Sequence, residues 1–183
     1  MGEQGPSYIP ILASIITGVV AFLGVVLTNR ATYRRIKLEN EINEKRKRLE
    51  LHRDRGEELY VATDRWINMI GGKNLSILAV MQGKLSYNQY LDLAIKAGEK
   101  QNYDFARIEM IIDVYFPMTR PFYDRVIENR TEINKIDSEH HREYEKGNTD
   151  GHRFIQPYID AQKKFEAAGE ELKQQIKLCL RTV

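Results

Sequence analysis

Apolar positions are spread unevenly along the chain. No Asp, Glu, Lys or Arg stands between Gln4 and Asn29, whereas charges are dense from Arg30 onward. Residues 8–28 are 21 positions dominated by Ile, Leu, Val, Ala and Phe; as a helix they extend about 31 Å, the hydrocarbon thickness of a bilayer. A lone segment in lipid must satisfy its own backbone, so the pattern predicts a transmembrane helix, with Ser7 as N-cap and Pro10 in the first turn. A cleaved signal peptide fits less well. The leader has Glu3 and no basic residue, and no small-residue cleavage site follows the run. A buried core helix also accounts poorly for so long an uncharged stretch.

Beyond the span, neither Gly nor Pro occurs between Gly24 and Gly56, which predicts a helix continuing into a stalk. Leu38, Ile42, Leu49, Leu59, Trp66 and Ile70 fall on a heptad, with Lys45, His52, Gly56 and Thr63 in the intervening slots. So many polar slots predict a weak or asymmetric seam. Glu41 with Lys45, and Glu44 with Arg48, are favourable i,i+4 pairs on an exposed face. Gly71-Gly72 predicts the end of this helix, and Asn74 to Gln82 a short separate one closed by Gly83.

Ser86-x-x-Gln89 is a capping box, opening a helix with Tyr90, Leu91, Ala94, Ile95, Phe105, Ile108, Ile112 and Tyr115 on one side. Gly98 within it marks either close packing or a break. Pro117 and Pro121 bracket a reversal. The next helix places Phe122, Val126, Ile133, Ile136, His140 and Tyr144 on one face, and residues 147–151 are a loop. The last helix carries Ile155, Tyr158, Phe165, Leu172, Ile176 and Cys179, with Pro157 in its first turn or kinking it. No stretch alternates with period two, so the expected fold class is all-α. The expected organisation is a tail at 1–7, a transmembrane helix at 8–28, a basic coiled-coil-like stalk at 29–55, and an antiparallel helical bundle at 56–183. In that bundle the distal part of the first helix, including Trp66, packs with the three later helices.

Charge adds a direction. The chain's net charge is +2, but residues 29–55 carry +5 and residues 56–183 carry −2, so the basic bias belongs to the stalk. No basic residue precedes the span, while Arg30, Arg34, Arg35 and Lys37 follow it. The positive-inside rule then puts the N-terminus outside and the body in the cytoplasm, with these cations against anionic headgroups. Asn74-Leu75-Ser76 and Asn129-Arg130-Thr131 match the glycosylation pattern but carry no meaning in that topology. Within the span, Ala13, Thr17, Ala21, Gly24 and Thr28 fall on one face, and small residues let membrane helices approach closely. That face is a candidate for self-association, although Gly and Ala are common in such spans.

Candidate chemistry is thin. A single cysteine, Cys179, excludes an internal disulfide framework and a multi-cysteine metal knuckle, and reads as a small hydrophobe. Asp137, His140, His141 and Glu145 have spacings a helical metal site uses. A di-iron bundle, however, needs two Glu-x-x-His motifs and two further carboxylates, and His140 falls on the apolar face. His52 lies on the seam, where a titrating imidazole would make association pH-sensitive; a tolerated polar slot explains it as well. Gly71-Gly72-Lys73 lacks the spacing and preceding strand of a phosphate loop. The basic run at 45–48 is flanked by Glu44 and Glu50 and reads as a solvated face, which argues against a nucleic-acid partner. No catalytic, cofactor-binding or metal-ligating set is assigned.

The segment Arg107-Ile108-Glu109-Met110-Ile111-Ile112-Asp113-Val114-Tyr115-Phe116-Pro117, with the apolar span and charged stalk before it, resembles a pattern in small bacterial single-pass membrane proteins of uncharacterised function. The resemblance implies an inner-membrane setting and a cytoplasmic helical domain, and no activity. Arg107 and Glu109 lie off the apolar stripe of that segment, open to solvent or to a partner. The expected role is a membrane-anchored, self-associating interaction or scaffold protein whose body recruits or senses a cytoplasmic protein. One alternative is a membrane-acting effector in bacterial stress or phage defence, whose clustered spans disturb the bilayer. The other is an enzyme without a visible motif.

Overall fold

The computed structural model describes residues 9–98 and 105–181, and within these the side chains at 9–13, 15, 16, 19–21, 97 and 98 lie outside the described set. The tail at 1–7, with its Ser7 cap, is therefore outside the described residues. Five α-helices follow one another: α1 Ile9–Met81, α2 Tyr87–Gly98, α3 Phe105–Tyr115, α4 Arg120–Glu145 and α5 His152–Arg181. A 3-10 turn at Pro117–Thr119 precedes α4. No strand occurs among the described residues, as the lack of period-two patterning predicts. Among the described residues, no helix is long and apolar enough to cross a membrane.

The chain divides into one compact unit at Met1–Leu49 and another at Glu50–Val183, and α1 contributes to both. In the first unit every described side chain is exposed, including Leu38, Ile42 and Leu49.

The second unit has a continuous core. Trp66 is fully buried, and its ring meets Phe105 of α3 at 5.9 Å, Tyr123 of α4 at 5.8 Å and Phe165 of α5 at 6.4 Å. The distal part of α1 thus packs with the three later helices. Its antiparallel relation to α5 shows in the rising and falling partners: Asp64 meets Lys173, and Asn74 meets Tyr158. The same holds between α4 and α5, where Arg125 meets Glu171, Glu132 meets Lys164 and Glu143 meets Arg153.

The local signals explain most boundaries. Ser86 and Gln89 form a reciprocal capping box, Ser86 N donating to Gln89 Oε1 at 2.9 Å and Gln89 N donating to Ser86 Oγ at 3.2 Å. α1 and α4 close alike. Gly83 (φ +69°) and Gly147 (φ +89°) take the left-handed conformation, and Lys84 N and Asn148 N reach back to the carbonyls of Ala79 and Glu143. Pro157 lies inside α5, beyond its first turn, and the helix continues through it.

Two expectations are corrected. Gly71-Gly72 does not end α1, which runs on to Met81. Each helical glycine costs about 1 kcal/mol relative to alanine, but beyond the pair Asn74, Ile77, Val80 and Met81 remain buried on the core side. Burial of three large apolar side chains outweighs that cost. The segment at 74–82 is accordingly the end of α1, not a helix of its own. In α2, Tyr87 and Tyr90 face the core while Leu91 and Ile95 are exposed, so the apolar face expected there is rotated toward the tyrosines. The helix expected to run from Ser86 to Pro117 is described as α2 and α3, with 99–104 outside the described residues.

Candidate functional site

A polar cluster in the second unit, centred on the buried His140, lies where the ends of α1 and α4, the start of α5, and α2 meet. α4 supplies Asp137, His140, His141 and Tyr144 from successive turns, α2 supplies Tyr87 and Tyr90, and α5 supplies Phe154 and Tyr158. His140 is fully buried, its ring 5.3 Å from that of Phe154 and 5.6 Å from that of Tyr87. Tyr87 packs closer still on His141, at 4.4 Å, and on Tyr144, at 4.8 Å.

Hydrogen bonding joins three of these groups. Tyr87 Oη lies 2.9 Å from His140 Nδ1 and 3.5 Å from Asp137 Oδ1. A phenol has one proton to donate, so with Asp137 ionised both bonds form together when His140 Nδ1–H donates to Tyr87 Oη and Tyr87 O–H donates to Asp137. His140 Nε2 is then the acceptor left buried without a partner, facing Gly151. A Cβ on Gly151 would lie 2.9 Å from that nitrogen, 2.6 Å from Met81 Cα and closer still to the Met81 carbonyl oxygen. Glycine therefore lets the loop before α5 close over the end of α1. Beside it, Tyr158 Oη donates to Asn74 Oδ1 at 3.2 Å, and Asn74 Nδ2 is buried without a partner.

The electrostatics follow from burial. Burial holds His140 below its ordinary value, assisted by the neighbouring His141. Burial also raises Asp137, with Lys73 and His141 pulling it back down. Tyr90 is pushed up to about 12, first by burial and then by Asp137; Tyr87 and Tyr158 are raised further for the same leading reason. The arrangement favours a neutral imidazole in a hydrogen-bonded chain, a polar lock between α2 and α4. Among the described residues no group of three or more His, Cys, Asp or Glu side chains is placed to hold a metal ion. His141 instead turns to Glu145, with Nε2 at 3.3 Å from its carboxylate.

A second cluster ties α3 to α1. Arg107 Nε and Nη2 donate to the two carboxylate oxygens of Glu58 at 2.6 and 3.2 Å, and Arg55 Nη1 adds a third bond at 2.6 Å. The paired guanidinium of Arg107, opposed by partial burial and joined by Arg55, holds Glu58 below the usual carboxylate range. Glu109 accepts from Tyr123 Oη at 3.1 Å. Glu109 is exposed, as expected, while Arg107 is half-buried by its bidentate pair with Glu58, a connection that sequence spacing does not reveal. Lys173 is likewise buried, its ammonium 2.8 Å from Asp64 and 2.6 Å from Glu170.

The residues expected at the membrane fall in the first unit. Thr17, Gly24 and Thr28 are exposed, while the side chains of Ala13 and Ala21 lie outside the described residues. Arg30, Arg34, Arg35 and Lys37 are exposed, and Arg35 Nε donates to Glu39 at 2.8 Å. His52, expected on the stalk seam, belongs to the second unit, and its ring lies tilted against Phe116 at 4.5 Å. Sequence reasoning missed Tyr87, Asn74, Glu58 and Lys173; only Tyr87, next to the capping serine and in phase with Tyr90, carried a usable signal. Comparison with known proteins finds no matching protein family, no matching curated protein and no matching solved structure.

Proposed function

We propose that the chain is a membrane-anchored, self-associating interaction protein. A transmembrane helix at 8–28 holds it in a bacterial inner membrane with the N-terminus outside, and a cytoplasmic helical bundle recruits or senses a protein partner. The observation that carries this reading is the charge pattern: no Asp, Glu, Lys or Arg between Gln4 and Asn29, then four cations and no acid from Arg30 to Lys37. Most positions of that span lie outside the described side chains, so the case rests on the sequence; Phe22, Leu23, Val25, Val26 and Leu27, which are described, are all exposed large hydrophobics. Such a run is costly in water and favourable in lipid. The small-residue face at Ala13, Thr17, Ala21, Gly24 and Thr28 supplies a surface on which spans pack closely, and Arg30, Arg34, Arg35 and Lys37 sit where anionic headgroups would bind them. The bundle contributes a stable body, its helices joined by buried and half-buried contacts such as Tyr87 with His140, Arg107 with Glu58 and Lys173 with Asp64.

Alkaline carbonate extraction of membranes from cells expressing the full chain tests the anchor. The expected result is protein retained in the pellet, and release into the supernatant overturns the anchor. Depolarisation of those cells, dependent on the span, would instead identify a membrane-acting effector.

A further inference from the structure

In the first unit every described side chain of α1 is exposed, and one of its faces carries a pattern that specifies what covers it. From Thr28 through Ala31, Arg35, Leu38, Ile42 and Lys45 to Leu49, positions alternate in steps of 3 and 4, a heptad seam without a skip. Thr17, Ala21 and Gly24 precede it in the same phase. Leu38, Ile42 and Leu49 are 58%, 48% and 48% exposed. In the second unit the same phase passes through Leu59, Trp66 and Ile70, all buried by the chain's own helices. A seam filled from within in one unit and open in the other calls for an external strand of matching period.

The flanking charges select that strand. With Ile42 and Leu49 in one core position and Leu38 and Lys45 in the other, Arg34 and Glu41 precede the seam, and Glu39 and Arg46 follow it. In a parallel pair of identical helices in register, each residue of the first kind faces the residue five positions later on the other copy. Arg34 then meets Glu39 of the second copy, and Glu41 meets Arg46 of the second copy. Both are opposite-charge pairs, each made twice by symmetry. Sliding one copy by a heptad sets Arg34 against Arg46, or Glu41 against Glu39, and loses them. Glu39 already accepts from Arg35 at 2.8 Å, but a carboxylate has two oxygens and receives both. The next pair, Arg48 with Arg53, is like-charged, so the favourable run ends near Leu49. Arg35 and Lys45 each face their own copy across the seam and weaken the pair, so its register rests on the flanking charge pairs.

We infer that a second copy of this chain covers the seam at residues 28–49, parallel and in register, an inference that rests on the self-association proposed above. Parallel pairing is also the orientation that two copies in one membrane share.

Single-cysteine crosslinking of the full chain in membranes tests this. In a Cys179→Ser background, the Ile42→Cys variant should oxidise to a disulfide-linked dimer and the Asn40→Cys variant, on the opposite face, should remain monomeric. Adding Glu41→Arg should remove most of the Ile42→Cys dimer, and adding Arg46→Glu as well should restore it. Equal crosslinking at positions 40 and 42, or no rescue by the double charge exchange, overturns the geometry. An oligomer in detergent that fails to crosslink at position 42 overturns this pairing while leaving self-association standing; a monomer overturns both.

Discussion

His140 shows how one residue reads differently in sequence and in structure. Its place on an apolar face next to Asp137 and His141 invites a metal, yet its Nδ1 is engaged by Tyr87 and its ring is enclosed by Phe154 and Tyr144. Because burial lowers its proton affinity below the ordinary 6.5, the unfolded chain takes up a proton that the folded chain refuses. Stability contributed by neutral His140 is therefore present above that value and is lost as pH falls from 6.5 through the folded value. Asp137 acts with the opposite sign. Raised from 3.8, it holds its proton longer when folded, and its contribution is lost as pH rises from 3.8 through its folded value. Tyr87, raised by burial, stays protonated through both windows, and Lys73 and His141 lower Asp137. The melting temperature should fall between about pH 7 and about pH 5, and a His140→Gln variant should show a shallower fall. An unchanged slope in that variant would assign the proton to another group.

At the scale of elements, boundaries written in local chemistry were legible: the Ser86–Gln89 box, the left-handed Gly83 and Gly147, Pro117 in the turn before α4 and Pro121 in its first turn all lie where helices start or stop. Trp66 as a core residue was legible from its heptad. What was not legible depended on tertiary packing. Gly71-Gly72 reads locally as a stop, and only the buried side chains beyond it keep the helix intact. Glu58 and Arg107, or Asp64 and Lys173, are partners because helices far apart in sequence lie side by side, and a single sequence does not encode that pairing visibly. The uninterrupted α1 has a consequence. A Cβ at Gly71 or Gly72 meets nothing within 4 Å, so Gly71→Ala and Gly72→Ala should each stabilise the protein by about 0.5–1 kcal/mol, read by urea denaturation. Destabilisation by either would mean that the glycines are needed for a break.

At the scale of the molecule, two different uses are made of one helical period. The second unit spends its part of the α1 seam internally, on a core centred at Trp66 and locked by the polar cluster around His140. The first unit keeps its part exposed, after an uncharged stretch suited to lipid and a cluster of four cations. A tethered and paired protein accounts for both features. The direct measurement is the mass of the full-length protein in detergent by light scattering, with the bound detergent determined separately. The account predicts a detergent-bearing particle whose protein mass is a multiple of 21.4 kDa. A 21.4 kDa particle that binds no detergent and stays dispersed without it would contradict the account.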